Sequence, residues 1–265
     1  MREALALIAL IAAVAGCGGG GDSEREAVES YIEEANQAQV QFQPAVRSAQ
    51  NAIRSFAAGK SGPKVAERLQ QAAATMRSAR AALARVDPPP EARSLHEHQL
   101  ELLDLQVRLS LELSLAAGYL PDAVAAIRPA DEAGGALARA LRTATTGEQQ
   151  ADALASYAQE VDGALETLDE LGAPPVLKPW HGAQVARLEA SRNLAAGLAK
   201  GIRQEDRGAI DRALRAFSDQ SPERKVAQKA QAEAVAAFNE RLEEQQELLS
   251  SIYREQAELA EKFAP

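Results

Sequence analysis

The chain is predicted to be all-α, a bundle or array of helix hairpins with an internal repeat of about 85 residues, and three observations carry that reading. Apolar residues recur at alternating steps of three and four over much of the length, the spacing of one helix face. No stretch offers a strand with a second strand to pair with. A helix, a proline elbow and a second helix are written twice: Ala79 to Val86 leads through Asp87-Pro88-Pro89-Pro90 to Glu91 and His96, and Ala164 to Leu171 leads through Gly172-Ala173-Pro174-Pro175 to Val176 and His181. One offset, with no gap, lays Arg139 on Arg54, Leu168 on Leu83, Pro174 and Pro175 on Pro89 and Pro90, and His181 on His96. Units that bury an apolar face on their neighbours build arrays. Repeat units are therefore expected at about 45–129 and 130–207, with a partial third at 208–265, inside one helical domain spanning 23–265.

Ser23-Glu24-Arg25-Glu26 has the form of a capping box, so the first helix should start there. Its stripe of Val28, Ile32, Ala35, Phe42, Val46, Ala49, Ile53 and Phe56 faces inward. Pro44 lies within it and predicts a kink or a break. Gly59-Lys60-Ser61-Gly62-Pro63 reads as a turn, with Pro63 in the first turn of a helix running to about Val86. The next helix is expected from a second box, Ser94-Leu95-His96-Glu97. From Leu103 to Leu115 apolar residues alternate with polar ones, a strand pattern, but leucine is a strong helix former and only Val107 of the seven is β-branched. Helix is the reading, central in the bundle.

A short helix is expected from Leu120-Pro121-Asp122 to Pro129, a loop through Gly134-Gly135, and a helix from Ala136 to Ala144. Thr145-Thr146-Gly147-Glu148 should cap the next, reaching Leu171, and Trp180 to about Ile202 should form another. After the polar break Gln204 to Gly208, Ser221-Pro222-Glu223 starts a helix expected to run unbroken to about Lys262. Its seam of Val235, Phe238, Leu242, Leu249, Ile252, Leu259 and Phe263 follows heptad a and d spacing, with Gln245 and Gln256 as interruptions. The seam is expected to pack antiparallel on the first helix, Phe42 and Phe56 meeting Phe238, Leu242 and Leu249, or else on another molecule.

Alanine supplies much of the 46% hydrophobic share and aromatics only 4%, so helices can pack closely while each buried side chain contributes little. A formal net charge of −9, spread along the chain, provides no basic footprint for nucleic acid or an anionic surface. The N-terminus is more specific. Met1-Arg2 precedes an apolar run from Ala4 to Ala15, too short to span a bilayer, which ends in Val14-Ala15-Gly16-Cys17. This tetrad resembles the lipobox of bacterial lipoproteins, and the resemblance implies that residues 1–16 are a signal peptide and that Cys17 carries the lipid. Cys17 is the only cysteine, so a disulfide within the chain is excluded. Residues 17–22, with Gly18 to Gly21, would form a flexible tether. The remainder is similar to uncharacterised alanine-rich helical lipoproteins of actinobacterial type, a resemblance that implies no activity.

Three groups are candidates for a ligand site. His96 and His181 match in the repeat and sit at helix N-termini, which disfavour added positive charge and so favour the neutral, metal-ligating imidazole. His98 lies two residues from His96 and so on another face. The alternative to a ligand role is that each histidine braces its elbow. Trp180, where the first copy has Leu95, reads either as an aromatic platform or as a core residue sealing the turn. Arg54, Arg139 and Arg215 recur at matching places, as solvated helix charges or as a ladder for an acidic ligand. The chain has no nucleophile elbow, P-loop or HExxH motif.

The expectation is a non-enzymatic binding or assembly module without a cofactor, held by lipid at the extracytoplasmic face of a cell membrane. The membrane is its first partner, the C-terminal helix is open to a protein partner, and nucleic acid is not expected. The alternative is a metal-binding or metal-dependent helical protein using His96, His98 and His181.

Overall fold

The computed structural model describes residues 22–57, 60–219 and 221–263, and among them every regular element is helical. They are α1 (Asp22–Ala57), α2 (Pro63–Leu83), α3 (Arg93–Thr143), α4 (Gly147–Glu170), α5 (Lys178–Arg203), α6 (Arg207–Asp219) and α7 (Ser221–Lys262). Short 3-10 turns at Pro90–Ala92 and Pro175–Leu177 form the two proline elbows. Each elbow enters its turn through an extended proline, Pro89 at φ −62° and ψ 159°, Pro174 at φ −63° and ψ 150°. A proline has φ near −65° already, and it disfavours helix in the residue before it, so a run of prolines ends one helix and aims the next.

The chain divides into two compact units. Of the described residues, one unit holds those up to Ala117 together with those from Ala237 onward, and the other those between Gly118 and Ala236. In the first unit, α1, α2 and the start of α3 run up, down and up. Val28, Ile32 and Ala35 share a core cluster with Leu83, Ala92, Leu95 and Leu102; further along, Ala49 meets Met76 and Val107, and Ala52 meets Leu69 and Leu113. The second half of α7 is the fourth helix. Its Leu249, Ile252 and Leu259 are buried among Val28, Tyr31, Ile32, Leu95 and Leu103. Arg241 pairs with Glu112, Glu255 with His98, and Lys262 with Glu91, so numbers fall along α3 as they rise along α7. The seam is therefore antiparallel to α3 and to α1. The side chains of Phe42, Phe56, Val235 and Phe238 lie outside the described residues, and α1 meets the seam through Val28 to Ala35.

In the second unit the end of α3, α4 and α5 run up, down and up. Ala123, Ala126 and Ile127 pack on Val161, Leu165 and Leu188, and Leu154 and Ala158 pack on Ala195 and Ala199. Helix α6 then folds back on α5. A Cβ at Gly197 would stand 2.7 Å from the Ala213 Cβ, and one at Gly201 would stand 2.6 Å from the Ile210 Cγ1, so the two glycines let the backbones approach. The elbows, and the starts of α3 and α5, coincide at the offset seen in the sequence; beyond them α3 has 51 residues and α5 has 26.

Of the kink or break expected at Pro44, the break is absent, and so are the two breaks expected in α3. Pro44 lies inside α1, and α3 continues through Pro121, Pro129 and Gly134-Gly135, where a short helix, a loop and a new helix were expected. An internal proline costs about 3 kcal/mol, partly because it leaves the carbonyl four residues back without its N–H. For Pro121 that carbonyl is Ala117, and it accepts from Gly62 N at 2.8 Å. For Pro44 and Pro129 the carbonyls belong to Val40 and Ala125, both on exposed positions open to water. Buried Tyr119, Ala123, Ile127 and Ala130 hold α3 on both sides of its prolines. The cap at Thr146 is a capping box, with Gln149 as its reciprocal partner. Ser94 is not a cap: α3 starts at Arg93, and the Ser94 hydroxyl donates to Glu255 Oε1 at 2.6 Å.

Candidate functional site

The elbow histidines are both bonded to tyrosines on the helix that precedes their hairpin. At the first elbow, Tyr31 of α1 is 2% exposed and its hydroxyl donates to Gln99 Oε1 at 3.3 Å. With that proton committed, the hydroxyl oxygen accepts from His96 Nδ1 at 3.4 Å, and the two rings meet edge to face, 5.9 Å apart. At the second elbow, Tyr119 of α3 is bonded to His181 Nδ1 at 2.6 Å, with ring centroids 6.2 Å apart. Trp180 and the same tyrosine meet edge to face, with ring centroids 6.4 Å apart and an interplanar angle of 88°.

Burial sets the electrostatics of these groups. Desolvation lowers the pKa of His96, outweighing the nearby carboxylates Glu97 and Asp87, which raise it. Burial raises the pKa of Tyr31 and of Tyr119. Each phenol keeps its proton and His96 stays neutral, so the first pair is a hydrogen-bonded brace between helices. The second has the same form, with Trp180 packed on the Tyr119 core.

His98 has a different partner. Its Nδ1 lies 3.1 Å from Glu255 Oε2, while Ser94 holds the other carboxylate oxygen. Glu255 therefore ties the first two turns of α3 to α7. Each of the three histidines thus has its partner within its own unit, and among the described residues no group of three or more His, Cys, Asp or Glu side chains is arranged to hold a metal ion.

The three arginines are all at exposed positions, Arg54 in the last turn of α1, Arg139 on α3 and Arg215 on α6. Arg215 Nε donates to Asp211 O on its own helix. Cys17 lies outside the described residues.

A groove of about 370 Å³ lies between α5 and α6. Ala190, Leu194, Gly197 and Ala216 line it together with the cations Lys200 and Arg212. Asp206 starts α6 by accepting from Ala209 N at 3.0 Å and also takes Arg212 at 3.3 Å. The Ala209 amide first, and Arg212 with it, holds the Asp206 carboxyl below the usual range.

Sequence reasoning missed Tyr31, Tyr119, Gln99 and Glu255. The tyrosines are separated by three residues more than the histidines, so a gap-free comparison passes over them. Glu255 lies in α7, far along the chain from the elbow it joins.

No protein-family model, curated protein or solved structure matches this chain. The molecule is thus defined by its own geometry, as an all-α protein of two helical units.

Proposed function

We propose that this protein is a lipoprotein of the bacterial cell envelope, anchored through Cys17 at the extracytoplasmic face of the membrane, where it acts as a non-enzymatic binding or assembly module. The observation that carries the reading is the tetrad Val14-Ala15-Gly16-Cys17, which follows an apolar run of signal-peptide length and contains the only cysteine. Among the described residues no helix is long and apolar enough to cross a membrane, which fits a lipid as the anchor. The titratable groups nearest the elbows serve as braces, which favours binding over chemistry. A surface open to a partner is the α5–α6 groove.

Metabolic labelling with an alkyne palmitate analogue tests the anchor. The wild-type chain is expected to carry label in the membrane fraction, and Cys17→Ser to carry none. Equal labelling of the two would overturn the proposal.

A further inference from the structure

The even spread of charge read from the sequence does not hold in the first unit. Between Ala35 and Val86 the chain carries eight basic residues and one acidic residue, Glu67. Five of the eight, Lys60, Lys64, Arg68, Arg77 and Arg85, are exposed on α2 or just beyond its ends. None of the five pairs with a carboxylate among the described residues. Arg80 of the same helix is held by an acid, Asp104 of α3 at 3.1 Å. Glu67 accepts from Gln71 at 3.3 Å, and no residue between Arg68 and Arg77 carries a charge. Elsewhere in the unit the sign is reversed: α1 exposes Glu24, Glu26, Glu33 and Glu34 in its first half, and α7 exposes Glu240, Glu243, Glu244 and Glu247.

We propose that the exposed side of α2 is a docking face for an anionic lipid leaflet. The net charge of −9 does not oppose this contact. Exposed charges more than about 8 Å apart are largely screened at physiological salt, so a leaflet responds to the flank presented to it and not to the sum over the chain. Lys64 and Arg77 are thirteen residues apart, about 20 Å along the helix. Cations dispersed over that length match a sheet of many single charges better than one small anion, and clusters of about four to eight Lys and Arg are what anionic headgroups attract. The end of α2 at Leu83 shares a cluster with Val28 near the start of α1. Five residues, Cys17 to Gly21, reach no more than about 17 Å and join that start to the lipid if Cys17 is acylated. The choice of lipid over another anionic partner rests on that lipoprotein reading, because an anchor beside the flank makes a weak contact intramolecular.

The test uses the mature chain from Cys17, joined through its thiol to a maleimide lipid in vesicles of phosphatidylcholine with or without phosphatidylglycerol. Ser78→p-azidophenylalanine, at an exposed position on α2, carries a click-coupled uncharged fluorophore, and a nitroxide on the headgroups quenches it at short range. Quenching is expected to rise several-fold when phosphatidylglycerol is present and to fall back at high salt. The rise should be absent when Lys64→Glu, Arg68→Glu and Arg77→Glu are combined, with circular dichroism to check that the helices remain. Equal quenching in the two lipids would overturn the proposal, as would a rise that survives the charge reversal. Because the lipid is attached chemically, this experiment reports the contact whether or not cells acylate Cys17, so its failure and a failure of the palmitate labelling are distinguishable.

Discussion

His96 and His181 occupy matching positions after matching elbows, yet burial separates them: His96 is 6% exposed, whereas His181 is half-buried beside Trp180. For His96 the consequence is a dependence of stability on pH. Its folded pKa is lowered by desolvation, so between that value and the ordinary histidine range near 6.5 the unfolded chain binds more protons than the folded one. Its contribution to stability is present above the unfolded pKa and lost as pH falls toward the folded one. Urea midpoints measured at pH 7.5 and pH 5.5 should fall with acidity, and His96→Gln should show a shallower fall. An unchanged slope would mean that the Tyr31–His96 brace does not sense the proton. The matching of the two histidines was legible in the sequence because the offset is constant around the prolines. The tyrosines were not, since a bond across helices depends on the rotation of a helix that the local pattern does not report.

At the scale of the element, the long helices show where pattern reasoning succeeds and fails. The alternation from Leu103 to Leu115 looks like a strand, but in the helix Leu103, Leu105, Val107, Leu109 and Leu113 are all buried, and Leu115 is exposed. Leucine nearly all round is what a central helix needs. The cost of an internal proline depends on where the freed carbonyl goes, and that is a tertiary fact. Gly62 supplies the amide for the carbonyl freed by Pro121, and it does so at φ +131° with nothing within 4 Å of where a Cβ would stand. Space is available for a side chain, but the backbone angle is one that L-residues rarely adopt. Gly62→Ala should therefore destabilise the first unit by about 1–3 kcal/mol through backbone strain alone. Thermal unfolding checks this. A melting temperature equal to that of the wild type would show that the turn relaxes without cost.

At the scale of the molecule, α3 and α7 each contribute to both units, and the C-terminal half of α7 belongs to the first. The sequence left two fates open for its seam: packing within the chain, or a coiled coil between molecules. Heptad spacing states that a stripe must be buried and does not say against what. The structure places Leu249, Ile252 and Leu259 in the first unit, along with Gln245, which is 1% exposed. Burying each large aliphatic side chain is worth about 1.5–3 kcal/mol, so the three together are a large share of the net stability of a domain. The ionic and hydrogen-bonded contacts of Arg241, Glu255 and Lys262 then fix the register. The most direct measurement is thermal unfolding, with light scattering for mass, of a chain that ends at Arg241. The predicted result is a melting temperature lower by at least about 10 °C, given about 2–4 °C per kcal/mol in chains of this size, with no change of oligomeric state attributable to the lost segment. An unchanged melting temperature accompanied by the loss of oligomers would contradict the account, because the seam would then belong to an interface between molecules.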